Sequence, residues 1–298
     1  MVKRSIKGIL PDFIYKGILV LYRFFFSYIP NTVHKNHIHT VFTHRQNITI
    51  KDTPLRIVID PKNGGTDAEL FLHHQRDVDV IAIMKERLHR GSTFVDIGAN
   101  IGYETLYGAH LVGDSGHVYA FEPIPHLVSQ IKESIALNAF SNITVIEKAA
   151  GNKDGYETIY LHDEDAGLTS ITNKNGASHS VSIDVTMLDK ELAHIKNVDV
   201  IKLDVEGYEY EALQGGKNTI ATYTPTIIFE FSPHLYEQDY KGKSIDILTF
   251  LDSLGYSIYA IDTLHTKIPK ENFTSLIEKI LIDETIPNFV ATIEPISL

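Results

Sequence analysis

Phe94-Val95-Asp96-Ile97-Gly98-Ala99-Asn100-Ile101-Gly102-Tyr103-Glu104-Thr105 is the stretch that decides the fold. Thr93 to Ile97 is a β-branched and aromatic run ending at Gly98, and a helix-permissive segment begins after Gly102, so the pattern is strand, glycine turn, helix. Glycines at 98 and 102 remove side chains where backbone must approach a ligand, and the helix start aims unpaired N–H groups at a negative group there. A dinucleotide turn carries a G-x-G-x-x-G array for a pyrophosphate. This turn instead reads D-x-G-x-N-x-G, with a carboxylate and an amide beside the glycines. It suits a ligand with its own ammonium and carboxylate, of which S-adenosylmethionine is the common example. Asp96 would accept from the amino group, and backbone N–H groups or the Thr105 hydroxyl would meet the carboxylate.

The chain has 298 residues, enough for one large α/β domain with an extension rather than two equal domains. A hydrophobic content of 43% and a charged content of 22% are those of an ordered globular enzyme. The net charge of -11 repels a polyphosphate backbone, so nucleic acid is not expected as a partner. Without cysteine there is no disulfide framework, thiol nucleophile or cysteine-based metal site, which suits a cytoplasmic setting.

Downstream of the turn, strand and helix patterns alternate, which predicts a parallel sheet covered by helices on both faces. A helix through about Leu111 leads to the strand His117 to Phe121, which delivers Glu122 to its carboxyl end. An acid roughly 20 residues past a glycine turn, at the end of the second strand, is placed to accept from ribose hydroxyls. Helix Ile124 to Asn138 and strand Ile143 to Lys148 follow, and the small residues Ala149, Ala150 and Gly151 leave room for a flat adenine. Tyr156 to Leu161 and Ser180 to Met187 are β-like, and the polar insert His162 to His179 between them has the make-up of a loop over a site. Strand Val198 to Leu203 then opens into Asp204-Val205-Glu206-Gly207, two carboxylates where open parallel sheets bind ligands, before a helix Tyr208 to Ile220. A fifth strand, Thr224 to Phe231, ends in Glu230 with His234 just beyond. Helix Ser244 to Leu254 and strands Tyr256 to Asp262 and Asn288 to Glu294 complete the sheet. Asp204 also has a plain structural reading as a cap for the helix after it.

The first 30 residues differ from the rest. Lys3, Arg4, Lys7, Lys16 and Arg23 are basic, and Leu10, Phe13, Ile14, Gly17, Leu21, Phe24, Phe25 and Tyr28 share one helical face. Two readings stand: a helix packed on the catalytic domain or on a partner subunit, or a basic amphipathic helix giving peripheral membrane contact. Lys16 and Arg23 argue against a membrane span. His34, His37, His39 and His44 have no carboxylate or cysteine at metal-site spacing and read as surface residues, so no metal is expected. Asn47 to Ile50 and Leu55 to Asp60 predict a hairpin, and Val78 to His89 a helix. The expected organisation is a lead-in over residues 1–75 and a catalytic domain over 76–298.

The blocks Phe94 to Gly102, Val118-Tyr119-Ala120-Phe121-Glu122-Pro123, Leu137-Asn138 with Asn142-Ile143, and Ile201 to Glu209 with Leu213-Gln214-Gly215 resemble, in order and spacing, those of the FkbM-type S-adenosylmethionine-dependent methyltransferases. The likeness covers about residues 75–235 and hardly touches the first 70. It implies a Rossmann-like seven-stranded α/β fold with a reversed final strand, preceded by a helical and β lead-in. It also implies S-adenosylmethionine as methyl donor and a hydroxyl acceptor on a sugar, glycan or other small metabolite. By the same resemblance Asp96, Gly98, Asn100 and Gly102 would hold the methionine end and Glu122 the ribose, with Asp204 and Glu206 beside the transferring methyl; Ala99, Thr105 and Ala149 complete the expected cofactor site. Glu230 and His234 are further candidates for a base, His having the ordinary pKa nearest neutrality. The rival readings are a nicotinamide-dependent oxidoreductase or epimerase, against which the missing glycine array argues, and a non-catalytic cofactor-binding scaffold. Oligomeric state is not encoded in any of these features.

Overall fold

The computed structural model describes residues 45–60, 63, 65–161, 169–170, 179–235, 243–261 and 266–294. The basic segment 1–30, the histidines at 34, 37, 39 and 44, and most of the insert 162–179 lie outside them. The described residues fall in two compact units, one ending at Arg76 and one beginning at Asp77.

The first unit carries the expected hairpin, β1 (Gln46–Thr49) antiparallel to β2 (Arg56–Ile59). Its turn is closed by the Thr53 hydroxyl donating to the Ile50 carbonyl. A helix that sequence reasoning did not anticipate follows, α1 (Gly65–His73), burying Ala68, Leu70 and Phe71. Asp67 in its first turn accepts from the Asp60 N–H and the Asn63 amide, which satisfies polar groups between strand and helix.

The second unit is built on a seven-stranded sheet. Along the chain come α2 (Val78–Arg87), β3 (Thr93–Ile97), α3 (Tyr103–Val112), β4 (His117–Phe121), α4 (Pro125–Leu137) and β5 (Ile143–Ile146). After an excursion that ends in the short helix α5 (Leu188–Glu191), these are followed by β10 (Val200–Leu203), α6 (Glu209–Gly215), α7 (Lys217–Tyr223), β11 (Thr226–Glu230), α8 (Lys243–Ser253), β12 (Ser257–Ala260), α9 (Phe273–Asp283) and β13 (Asn288–Thr292). The spatial order is β12-β13-β11-β10-β3-β4-β5. β13 pairs antiparallel with both its neighbours, and every other pairing is parallel. This is the seven-stranded order with one reversed strand. The chain runs outward from β3 to β5 and then returns to lay β10 on the other side of β3, which puts the topological switch point between β3 and β10.

The central strands are buried on both faces, so they read as continuous apolar runs. Phe94, Val95, Val200, Ile201, Leu203, Ile227, Ile228 and Phe229 are all buried. Helix α3 lies so close to β3 that a Cβ at Gly108 would come within 2.3 Å of the Phe94 ring. Amphipathic α9, also unanticipated, covers its part of the sheet with Phe273, Ile277 and Ile280.

Two expectations need correcting. The single helix Tyr208 to Ile220 is two helices, because the chain breaks at Gly216. Gly215 there presses on the Gly151 carbonyl, which a Cβ would approach to 1.9 Å, and Gly216 on the Leu188 side chain, at 2.8 Å. The excursion between β5 and β10 forms its own sheet of β6 (Ala149–Ala150), β7 (Gly155–Leu161), β8 (Thr169–Ser170) and β9 (His179–Thr186), in the order β6-β9-β7-β8. Long-range pairing, invisible in local periodicity, joins these short strands.

Candidate functional site

The glycine turn is held by backbone bonds before any ligand is considered. The N–H groups of Gly98 and Ala99 both donate to the Phe121 carbonyl at 3.0 Å, and the Asn100 N–H donates to Glu122 Oε2 at 2.9 Å. Gly98, Asn100 and Gly102 all have positive φ, at 81°, 52° and 89°. Glycine takes that region freely, and Asn is among the few other residues that tolerate it. At Gly98 there is a second reason: a Cβ would lie 1.8 Å from the Asp204 carbonyl oxygen.

Glu122 is therefore a structural tie as well as a candidate ribose acceptor. Its second oxygen accepts from the Ile124 N–H at 2.9 Å, so the carboxylate bridges the turn to the chain entering α4. Burial pushes its pKa up to about 8, against the opposing pull of those two N–H bonds. Each oxygen keeps a second lone pair for a ligand hydroxyl.

Asp96 is fully buried in β3. Its Oδ2 accepts the Thr105 hydroxyl at 2.5 Å, and the Thr105 N–H also favours its charged form. The Thr105 hydroxyl thus donates to Asp96 before any ligand is considered. Asp96 Oδ1 has no hydrogen-bond partner among the described residues. A buried carboxylate oxygen left open beside a glycine turn fits the ammonium of a methionine moiety, since leaving such an atom unpaired is costly. Burial raises its pKa, and the Lys202 ammonium is the strongest influence pulling it back down.

Across the switch point, strand register explains which acids meet. Lys202 is paired with Asp96 on one side and Ile228 on the other, so these three side chains share a face. Two residues further along, Asp204 and Glu230 therefore share that face at the carboxyl edge, next to Gly98. With Glu206 they form a cluster whose carboxylate oxygens lie within 4.8 Å of one another, close enough for one divalent cation to bridge. All three are half-buried. Burial, then the charges of Asp204, Glu206 and Glu209, push Glu230 up to about 10, so it carries a proton at neutral pH. The Ser232 hydroxyl donates to Glu230 Oε2 at 3.2 Å.

Asp204 does not cap a helix: Tyr208 stands at the N-cap of α6, with no side-chain cap bond there. Its Oδ2 accepts instead from Lys202 Nζ at 3.0 Å. Glu206 and Gly207 have positive φ, and the sharp loop they make is tied by Glu209, whose carboxylate accepts from the N–H groups of Val205 and Gly207. His234 lies outside the carboxylate cluster, with Nδ1 buried and unpaired among the described residues. Ala149 is half-buried and opens β6, and Gly151 beside it packs closely against Val185 and Tyr208. Lys202, Glu209 and Ser232 were not among the expected site residues. A lysine inside an apolar strand run was the available signal for the first.

A seven-stranded sheet in this order, with a D-x-G turn and an acidic strand end meeting at its switch point, defines an S-adenosylmethionine-dependent methyltransferase. The chain matches the methyltransferase FkbM domain over residues 96–258, more than half its length, and belongs to that family. It is 27% identical over 188 residues to Methyltransferase 1 of Beauveria bassiana, covering 56% of this chain and 73% of that protein. To the hexuronic acid methyltransferase AglP of Haloferax volcanii it is 26% identical over 152 residues, covering 50% of this chain and 60% of the relative. The crystal structure of methyltransferase FkbM from Methylobacillus flagellatus aligns with a TM-score of 0.43 at 16% identity, over 75% of this chain and 60% of that one. The cofactor is S-adenosylmethionine, which sets aside the nicotinamide reading.

Proposed function

We propose that this methyltransferase methylates a hydroxyl group of a neutral sugar, glycan or similar small metabolite. The observation that carries the reading is the cluster of Asp204, Glu206 and Glu230 at the carboxyl edge, where Asp204 backs directly onto the glycine turn. Bound S-adenosylmethionine supplies an electrophilic sulfonium methyl. What remains for the protein is to hold the acceptor oxygen in line and exclude water. Protonated Glu230 donates a hydrogen bond to the acceptor while Asp204, held by Lys202, accepts the proton of the reacting hydroxyl, two carboxyls with opposite tasks because their surroundings differ. Asp96 Oδ1 takes the methionine ammonium, Glu122 the ribose hydroxyls, and Gly98, Asn100 and Gly102 shape the turn around them. A net charge of -11 disfavours anionic acceptors, nucleic acid among them. The Haloferax relative is named for a sugar acceptor, but for an acidic one, a hexuronic acid, so uronic acids are the rival to the neutral sugar proposed here. The lead-in over residues 1–75, including the basic apolar segment 1–30, is read as an accessory to this catalytic unit.

Incubation with methyl-labelled S-adenosylmethionine and separate panels of neutral sugars, uronic acids, phenols, peptides and RNA tests the reading. Label retained in a neutral sugar through mild alkali, as an ether, is the expected product. Alkali-labile label, the mark of an ester, or transfer to peptide or RNA would sink it.

A further inference from the structure

Lys202 is the one buried lysine or arginine among the described residues. It occupies the middle of β10, between apolar Ile201 and Leu203, and is paired in register with Asp96. Its Nζ donates to Asp204 Oδ2 at 3.0 Å, with only 6% of the lysine side chain exposed. Four carboxylates act on it, in falling order Asp204 just past the end of β10, Glu104 on α3, Asp96 on β3 and Asp77 before α2. Burial opposes its charge, yet those carboxylates outweigh burial and keep the ammonium protonated. A buried ammonium is costly to desolvate and persists only where fixed partners repay that cost. A lysine kept solely for packing would be replaced without loss by an apolar residue of similar volume.

We propose that Lys202 is a positioning residue for cofactor binding, its ammonium orienting and offsetting the Asp96 and Asp204 carboxylates so that one cation organises both sides of the switch point. Asp96 has no other cation acting on it as strongly, and its Oδ1 stands open. With Lys202 gone, buried Asp96 loses the one cation among the described residues that favours its charged form, and its hold on an ammonium group weakens. The loss falls on ligands that carry the amino acid end and spares those that carry only the nucleoside. The inference rests on the assignment of Asp96 to the methionine ammonium made above.

The test is calorimetric titration of the full chain and its variants with three ligands: S-adenosylmethionine, S-adenosylhomocysteine and 5′-methylthioadenosine, which lacks the amino acid end. Lys202→Met should weaken the first two by at least ~10-fold, about 1.4 kcal/mol, and leave the third within about twofold. Lys202→Arg should restore most of the loss, and Lys202→Met added to Asp96→Asn should cost nothing beyond Asp96→Asn alone. If the Met variant does not fold, Lys202→Gln removes the charge while leaving a donor for Asp204. Equal weakening of all three ligands, or of none, overturns the positioning role. Selective loss in Asp96→Asn with none in Lys202→Met sinks this inference alone. Unchanged binding by Asp96→Asn removes the Asp96 assignment and this inference together.

Discussion

On the β3 side of the switch point, polar groups are tied in place by the fold itself: Glu122 takes two backbone N–H groups, the Phe121 carbonyl takes two more, and Asp96 takes the Thr105 hydroxyl. On the β10 and β11 side, three acids crowd within 4.8 Å of one another and remain half-exposed. The first region is shaped in advance, with one buried oxygen left open. In the second, crowding of like charges is relieved by protonation of Glu230 and pairing of Asp204 with Lys202. Binding one ligand identical in every member of a family favours the former. Accepting a hydroxyl and moving its proton requires the latter.

The severest way to break the comparison is Gly98→Ala. A Cβ there has positive φ and meets the Asp204 carbonyl, so both regions move together; a loss of about 2–4 kcal/mol is expected, with cofactor binding abolished. Gly102→Ala, whose Cβ would meet only the Ile131 side chain at 3.2 Å, should cost clearly less. Thermal unfolding of both variants checks the order, and equal melting points would break the argument.

A smaller effect is expected from Glu230→Gln. Glu230 has its folded pKa raised from 4.5 to about 10, so the native state binds the extra proton and stability falls as pH rises between those values. The Gln variant lacks that slope. The two proteins should match near about pH 5 and diverge above it, Gln becoming the more stable by up to ~1.4 kcal/mol per pH unit. Parallel curves from denaturant melts at several pH values would show Glu230 to be ionised in the folded chain. The smallest effect concerns metal. With Glu230 protonated and Asp204 paired to Lys202, the cluster has little charge left for a divalent ion. Millimolar magnesium or a chelator should therefore shift the melting midpoint by less than about 1 °C, whereas a ligand well above its Kd stabilises by several kcal/mol. A rise of several degrees with magnesium would recast the acids as ligands.

Much of this was legible in the sequence where chemistry is local. The strands around Phe94, Val200 and Ile227 announced themselves as unbroken apolar runs, because burial on both faces removes the need for alternation. Asp96 and Glu122 were found by distance along the chain from the glycines. The break at Gly216 and the four-stranded sheet were not legible, since each depends on partners tens of residues away: Leu188 and Gly151 for one, the pairing of β7 with β9 for the other. The bond from Thr105 to Asp96 was not legible, because a hydroxyl's partner is set by geometry across the turn. The meeting of Asp204 with Glu230 needed the register of β10 against β11, which no periodicity supplies.

The contact between Gly98 and the Asp204 carbonyl carries a lesson for engineering. Grafting an acceptor loop from another methyltransferase onto this chain, to change what is methylated, would swap the backbone on which the cofactor turn rests. A viable chimera would move residues 94–102 and 200–209 as one cassette, and a crossover placed between them should fail even when each segment comes from a working enzyme.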